Sequence, residues 1–291
     1  MTDLLEFMMF SRCNEFACGT SGIDHSLPHP QQGGPCLTSR ALAIAQIGMM
    51  DAYNSIANQY TRYTAMPSFP GGDVRAAVAQ ACHDTLLALF SLQQPAIDAA
   101  LVTMLAAVPD GNAKTIGIAA GSKAAQLILA LRTGDGSDNI NGTAPPTNTT
   151  TNPGVWSQAP PDSNAAGDTA YGANYGNNCK PFIATDTAEM ISLFSVPTPP
   201  DVTTNEYLAS FNNQKSTGGV GDATSPSTRT QDETEMAIAW GYDGTRALCA
   251  PATEYNAIIR QIMTQHQKSA AELIRALALC NIAMAEAGAY S

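Results

Sequence analysis

With 291 residues, the chain is long enough for one large domain or two small ones. Hydrophobic residues make up 44% of it and charged residues 13%, which excludes a disordered protein and indicates a sizeable core. The 25 acidic and 14 basic residues give a net charge of −11, so we expect neither nucleic acid nor an anionic membrane as a partner. No apolar run reaches transmembrane length, and we expect no membrane insertion.

The amino-terminal third predicts helices around one central element. Amphipathic spacing indicates a short helix over residues 4–16, followed by a loop rich in Gly, Pro and His over residues 19–35. The next helix, over residues 38–56 and ending near Asn58, is apolar on nearly all sides in its first half. Such a helix is typical of a protein interior, so we expect it to be the central core helix.

Further helices are predicted over residues 73–92, 95–108 and 113–131. Gly117 and Gly121 lie in the last of these. A phosphate loop is excluded because no strand precedes them and the order of Gly, Lys and Ser is wrong. The two glycines therefore predict a close crossing of two helices.

Residues 133–181 differ in composition from everything before them. Gly, Asn, Thr and Pro dominate and helical periodicity is lost, which predicts one long irregular loop. We expect Trp156 and the tyrosines of this loop to pack on the helical body. Asn141 and Asn148 begin Asn-x-Thr triplets and are candidate glycosylation sites.

Helices are predicted to resume over residues 185–194, 204–214, 230–242 and 253–286, the third beginning with a Thr230–Glu233 capping box. No alternating strand pattern of convincing length is present. The predicted fold class is all-α. We expect a single helical domain over residues 1–291, a helical bundle with one long irregular loop.

Five potential metal ligands lie close together near the amino terminus: Cys13, Cys18, His25, His29 and Cys36. The gap between the second cysteine and the first histidine is shorter than a zinc finger needs, and no ββα pattern surrounds it. We therefore predict no metal site, and the cysteines are interpreted as disulfide-bonded or as thiols.

Six stretches in fixed order resemble a known family: TSRALAIAQIGMMDAYNSI, PGVWSQAPP, NCKPFIA, PPDVTTNEYLASFNNQK, STRTQDETEMAIAWGYDG and ELIRALALCNIAMAEAGAYS. Together they resemble the amino-terminal half of the vanadium-dependent haloperoxidases, relatives of the type 2 acid phosphatases. The resemblance covers about residues 4–291. It implies an all-helical fold with two bundle halves, and an enzyme that holds vanadate and oxidises a halide with hydrogen peroxide.

The family's vanadate ligands are absent from this chain. In the family they lie in three motifs: a lysine followed by Arg-Pro, a Pro-Ser-Gly-His sequence, and a Ser-Arg segment closed by histidine. None of these occurs here. The four histidines, His25, His29, His83 and His266, match none of the family's histidines. The resemblance therefore assigns no catalytic residue and no vanadate ligand to this chain.

Trp240, Asp243 and Arg229 are the matched residues that we expect nearest to such a site. In one interpretation, Asp243 orients an arginine of the missing half. In the alternative, Trp240 belongs to the core and Asp243 only ends a helix before Gly244.

Two functions from different classes remain open. In the first, the chain is a subunit or fragment of a haloperoxidase-like enzyme, inactive alone and completed by a second chain with the vanadate motifs. In the second, it is a catalytically inactive structural or assembly protein on the same scaffold. A hydrolase is not favoured because no Ser/His/Asp arrangement or carboxylate pair is recognisable.

The partner expected from this resemblance is the complementary carboxy-terminal half or a second copy of the chain. The last helix carries apolar residues almost to its end: Leu277, Cys280, Ile282 and Met284. We expect them to form an exposed surface that a partner covers.

The compartment stays open. Asp3 and Glu6 interrupt the first apolar patch, and no basic leader precedes it, so these residues do not resemble a signal peptide. Low lysine content, the two glycosylation triplets and the export of many relatives favour an extracellular or periplasmic location.

Overall fold

A computed structural model describes residues 2–27, 30–139, 178–194, 197–241 and 251–290. Regular secondary structure in these ranges is helical throughout, which confirms the predicted all-α class. The α-helices are α1 Thr2–His25, α2 Gly34–Ala57, α3 Val74–Leu89, α4 Gln94–Ala106, α5 Asn112–Arg132, α6 Thr187–Phe194, α7 Asn205–Thr217, α8 Gln231–Trp240, α9 Pro251–Gln265 and α10 Ala270–Tyr290. Most of the predicted long loop lies outside the described residues.

Helix α2 is the centre of the fold. Every residue from Thr38 to Ser55 is buried, and the helix packs against α3, α5 and α10. Asn58 ends it in the left-handed conformation at φ 50°, with its N–H donating to the carbonyl of Asn54 at 3.1 Å. The prediction of a buried central helix ending near Asn58 is confirmed.

Helices α3 and α5 cross with their backbones in contact. A Cβ atom added at Gly117 would lie 2.4 Å from the carbonyl oxygen of Asp73, and one at Gly121 would lie 2.4 Å from that of Ala77. Real Cβ atoms do not approach so closely, so larger residues would force the helices apart. The close crossing predicted from the two glycines is confirmed.

The amino-terminal region differs from the prediction. Helix α1 runs to residue 25, so the predicted helix over 4–16 is too short and the predicted loop over 19–35 begins too early. The reason is that the inward side of this helix is partly polar, with Asn14, Ser21 and Asp24 all fully buried. The Asp24 carboxylate accepts hydrogen bonds from the backbone N–H groups of Gln31 at 2.9 Å and Gln32 at 2.8 Å, which fixes the turn that follows.

The predicted last helix over residues 253–286 is two helices, α9 and α10. The break contains Gln267 in the left-handed conformation, at φ 49°. Ser269 then caps α10: its hydroxyl accepts from the N–H of Glu272 at 3.2 Å, and the Glu272 carboxylate accepts from the N–H of Ser269 at 2.9 Å. This capping box, which the sequence prediction missed, starts a new helix.

The exposed apolar surface predicted on the last helix does not exist as predicted. Leu277 is 1% exposed and Ile282 is 4% exposed, and Met284 packs against the same core. Helix α10 packs on α2 and α1, so its apolar side is covered by the chain itself. The prediction about this surface is therefore wrong, while the existence of a partner remains a prediction.

Helices α7 and α8 contain no buried residue. A hydrogen bond from the Thr228 N–H to the carbonyl of Ser216, at 2.8 Å, joins the segment before α8 to the end of α7. Helix α8 begins with the predicted capping box of Thr230 and Glu233. Both helices therefore rest on local hydrogen bonds and not on core packing.

Within the described ranges, no single helix is long and apolar enough to cross a membrane. Helix α3 and the segment Ser91–Ala106 meet that criterion only together, across a bend of 117°.

Candidate functional site

A buried ion cluster joins α2 to the end of α5. The Nε atom of Arg40 donates to Oδ2 of Asp135 at 2.8 Å, and Nη2 of Arg132 lies 2.8 Å from the same oxygen. The three side chains are at most 9% exposed. Burial alone would raise the pKa of Asp135, but hydrogen bonds from Arg40 and Ser137 and the two guanidinium charges hold it below its usual value. Asp135 is therefore ionised at neutral pH.

Arg132 also fixes residues 178–184, the segment before α6, which we call the return segment. Its Nη1 donates to the carbonyl of Pro181 at 3.0 Å and its Nη2 to that of Lys180 at 2.5 Å. The guanidinium lies 3.9 Å from the centre of the Phe182 ring. One side chain thus joins α5, the ion cluster and the return segment.

A second buried charge holds the same segment from α10. The carboxylate of Glu286, which is 2% exposed, accepts from three consecutive backbone N–H groups: Phe182 at 2.5 Å, Ile183 at 3.2 Å and Ala184 at 2.9 Å. The Tyr63 hydroxyl donates to the carbonyl of Phe182 at 2.5 Å. Three amides around one carboxylate form an anion-binding concavity, and here the chain's own glutamate fills it.

A cavity of about 520 Å³ opens beside the ion cluster, lined by Arg40, Arg132, Asp135, Asp138 and residues near the start of α2. The positive charges of two guanidinium groups and the negative charges of two carboxylates are equal in number at its wall. Because the arginines are engaged by Asp135 and by backbone carbonyls, the cavity does not present the excess of cationic donors that an oxyanion requires.

These residues do not fit vanadate. Vanadate needs several fixed cationic donors and an imidazole that bonds the metal. In the described part of the chain, no three His, Cys, Asp or Glu side chains come together as a metal-binding group. The ring of His83 is engaged on both sides, by Asp84 at 2.7 Å and by Asp98 at 2.9 Å, and His266 is exposed. We therefore derive no vanadate chemistry from these residues.

The structure places two of the three residues predicted nearest to an active site. Trp240 is 55% exposed and its ring lies 6.3 Å from that of Tyr255, so the alternative in which Trp240 belongs to the core is wrong. Arg229 is half-buried, and its Nε atom has no hydrogen-bond partner among the described residues. Asp243 lies outside those residues, so its proposed role stays a prediction.

The candidate glycosylation sites Asn141 and Asn148, together with Trp156, also lie outside the described residues.

Among the described residues, the amino-terminal cysteines do not form a metal-binding group. Cys13 is fully buried, and its Sγ lies 3.5 Å from the sulfur of Met104. Cys82 donates from its thiol to the carbonyl of Cys13 at 3.6 Å, so both thiols belong to the core. His29 and the His25 side chain lie outside the described residues.

Sequence reasoning missed the ion cluster and the Glu286 contact. A signal for both was present, because Arg40 and Glu286 are isolated charges in helices that are otherwise apolar. A charged residue in such a helix is buried only with a partner. The identity of the partners, however, depends on the path of the chain between residues 132 and 182.

No protein-family model matches the sequence, and no curated protein matches it. Among solved structures, the fold of this chain is similar to that of a crystal structure described as the first bacterial vanadium-dependent iodoperoxidase, with a TM-score of 0.71 and 16% sequence identity. The match covers 96% of this chain and 67% of that chain. At this identity the similarity establishes the fold alone.

Proposed function

We propose that this chain is the helical scaffold part of a vanadium-dependent haloperoxidase-like enzyme, and that a second polypeptide supplies the vanadate ligands. The fold match carries the proposal, because it includes nearly all of this chain but leaves a third of the iodoperoxidase unmatched. The described residues support it, because Arg40, Arg132 and the ring of His83 are all engaged by other groups of the chain.

An exposed apolar surface on α8 and α9 is the proposed contact with that polypeptide. Tyr255, Ile258 and Ile262 recur at steps of three and four residues along α9 and are 44%, 38% and 47% exposed. Trp240 of α8 extends this surface through its contact with Tyr255. We call these four residues the α8–α9 surface. This exposed apolar stripe is the observation that supports a docking site here, and it takes the place of the surface predicted on α10.

In the proposed complex, the second polypeptide contributes the lysine, arginine and histidine side chains that hold vanadate, and vanadate supplies the oxidation of halide by hydrogen peroxide. The part of this chain is to position that polypeptide. The fixed return segment and the α8–α9 surface are the elements that support such a role.

The test begins with the protein isolated from its source and analysed by native mass spectrometry. We expect a companion chain whose sequence contains the Pro-Ser-Gly-His motif and the lysine motif. The complex, loaded with vanadate, is expected to oxidise iodide or bromide with hydrogen peroxide. A chain that is monomeric at source, or that oxidises halide alone after vanadate loading, would contradict the proposal.

A matched pair of variants tests the docking surface. Ile258→Glu places a charge within the α8–α9 surface, whereas Val102→Glu changes an apolar residue of α4 that is 71% exposed. We expect the first variant to lose the companion chain and the second to retain it. Equal retention by both variants would place the contact elsewhere.

The second candidate function is an inactive scaffold of the same fold. It is favoured by the ion cluster, in which both arginines that line the cavity among the described residues, Arg40 and Arg132, bind Asp135. A companion chain that lacks the vanadate motifs would support this function instead.

A further inference from the structure

We propose that Cys36 and Cys179 form a redox-sensitive modification site, in which a small-molecule disulfide oxidises the two thiols to a disulfide that ties the return segment to α2. The observation behind this is their shared packing. Cys179 belongs to a small buried cluster with Ala184, Met190 and Ala289, and Cys36 packs against this cluster. The inference is independent of the proposed enzyme.

The two cysteines belong to different elements that meet at this cluster. Cys36 lies in the first turn of α2, and Cys179 lies at the start of the return segment. Helix α10 also packs at this point, since a Cβ atom at Gly288 would lie in ordinary contact with Cys36, 3.7 Å from its Cα. Arg132 and Glu286 fix the return segment against α5 and α10, so Cys179 is held in place independently of any covalent bond.

The two thiols differ in the ways that the two steps of disulfide exchange require. Cys36 is half-buried and within reach of a small oxidant, whereas Cys179 is 3% exposed. The Arg132 Nη2 atom lies 3.7 Å from the sulfur of Cys179, and the Cys179 thiol donates to the carbonyl of Lys180 at 3.8 Å. Burial, and next the neighbouring Cys179, raise the pKa of Cys36, so its reaction is expected to become faster with increasing pH.

The reaction balances with oxidised glutathione as the disulfide. The Cys36 thiolate attacks one sulfur of the oxidant, which forms a mixed disulfide and releases one glutathione thiolate. The Cys179 thiolate then attacks the Cys36 sulfur, which forms the protein disulfide and releases the second glutathione thiolate. The two cysteine thiols lose two protons and two electrons, and the oxidant is reduced to two glutathione molecules.

Cys13 and Cys82 provide an internal comparison. They are also neighbours, since the thiol of Cys82 donates to the carbonyl of Cys13. Their exposed fractions are 0% and 1%, however, so a dissolved oxidant does not reach them in the folded chain. We therefore expect Cys13 and Cys82 to stay unmodified under conditions in which Cys36 reacts.

The experiment treats the full chain with oxidised glutathione at mildly alkaline pH and maps disulfides by peptide mass spectrometry without reduction. We expect a mass lower by about 2 Da and one cross-linked peptide pair that contains Cys36 and Cys179. The thermal midpoint should rise by about 5–15 °C, because the disulfide closes a long loop. Cys36→Ser should abolish the cross-link and the rise, and Cys82→Ser should retain both.

Three results would overturn the proposal. One is a stable glutathione adduct on Cys36, which would show that Cys179 does not reach it. Another is a cross-link between either cysteine and a different partner. The third is a cross-link with no rise in the thermal midpoint. Cys179→Ala serves as the second variant if Cys36→Ser does not fold, with the glutathione adduct on Cys36 as its expected product.

Discussion

Replacing Arg132 by methionine tests whether the buried ion cluster fixes the return segment. Methionine keeps much of the aliphatic stem but removes the guanidinium, which contacts Asp135, two carbonyls of the return segment and the Phe182 ring. Asp135 would retain only Arg40 as a buried cationic partner. Removing one member of a buried charge pair costs about 3–5 kcal/mol, and we expect a loss of free energy of unfolding in this range.

Urea unfolding followed by far-ultraviolet circular dichroism measures this loss. With a denaturant slope of about 3 kcal/mol/M, the midpoint should fall by roughly 1–1.7 M. Arg275→Met is the control, because the Arg275 guanidinium lies 4.7 Å from the centre of the Tyr60 ring at an exposed position and should cost at most about 1 kcal/mol. Equal midpoints for the two variants would refute the reasoning, since they would show that burial of the Arg132 cluster adds nothing.

Other substitutions test the crossing of α3 and α5, the contribution of Asp135 to stability at acid pH, and the buried hydrogen bonds of Asn256. Gly121→Ala should lower the free energy of unfolding by about 1–3 kcal/mol, because its Cβ would lie 2.4 Å from a backbone oxygen of α3. Gly19→Ala in α1, where nothing lies within 4 Å of the added Cβ, should raise it by up to about 1 kcal/mol. Thermal midpoints of the two variants that shift in the same direction would contradict this. The pKa of Asp135 in the folded chain is below its ordinary 3.8. The stability that the ionised carboxylate contributes is therefore present above the unfolded pKa and is lost as pH falls through the folded value. When the free energy of unfolding is measured against pH, Asp135→Asn should lack this decrease at acid pH. Asn256→Ala should lower the free energy of unfolding in urea by about 2–4 kcal/mol, because the buried amides of Asn14 and Asn281 lose their hydrogen bonds with Asn256, at 2.8 and 2.9 Å. Asn213→Ala, at an exposed position, should cost little. A similar loss from both variants would argue against a stabilising role of these hydrogen bonds.

The parts of the fold that the sequence predicts correctly are those in which hydrophobic pattern and burial agree. Helix α2 is apolar on nearly all sides, and burial of every residue from Thr38 to Ser55 follows from that. Gly117 and Gly121 predict the crossing because only glycine permits that approach. Helix α1 was underestimated for the opposite reason: its buried side includes Asn14 and Asp24, which pattern reading assigns to the surface.

The candidate site was less predictable, because its contacts join residues far apart in the chain. Arg40 meets Asp135 and Glu286 meets Phe182 only after α5 and the return segment have been placed. Periodicity shows that an isolated charge needs a partner, but it contains no information about which one. The missing vanadate motifs could be recognised from the sequence because such motifs are local.

The location of the proposed interface shows how periodicity misled the prediction. Both α9 and α10 carry apolar residues on more than one side, and the sequence does not tell which side the chain itself covers. Helix α10 turns Leu277 and Ile282 to the core. In α9, Ile259 and Met263 pack partly on the core, while the side with Ile258 remains exposed. The described residues cover the side of α9 that carries Ile259 and Met263 and leave the neighbouring side exposed. The proposed contact is therefore placed at α9, where apolar area of the described residues remains exposed, and not at the covered side of α10.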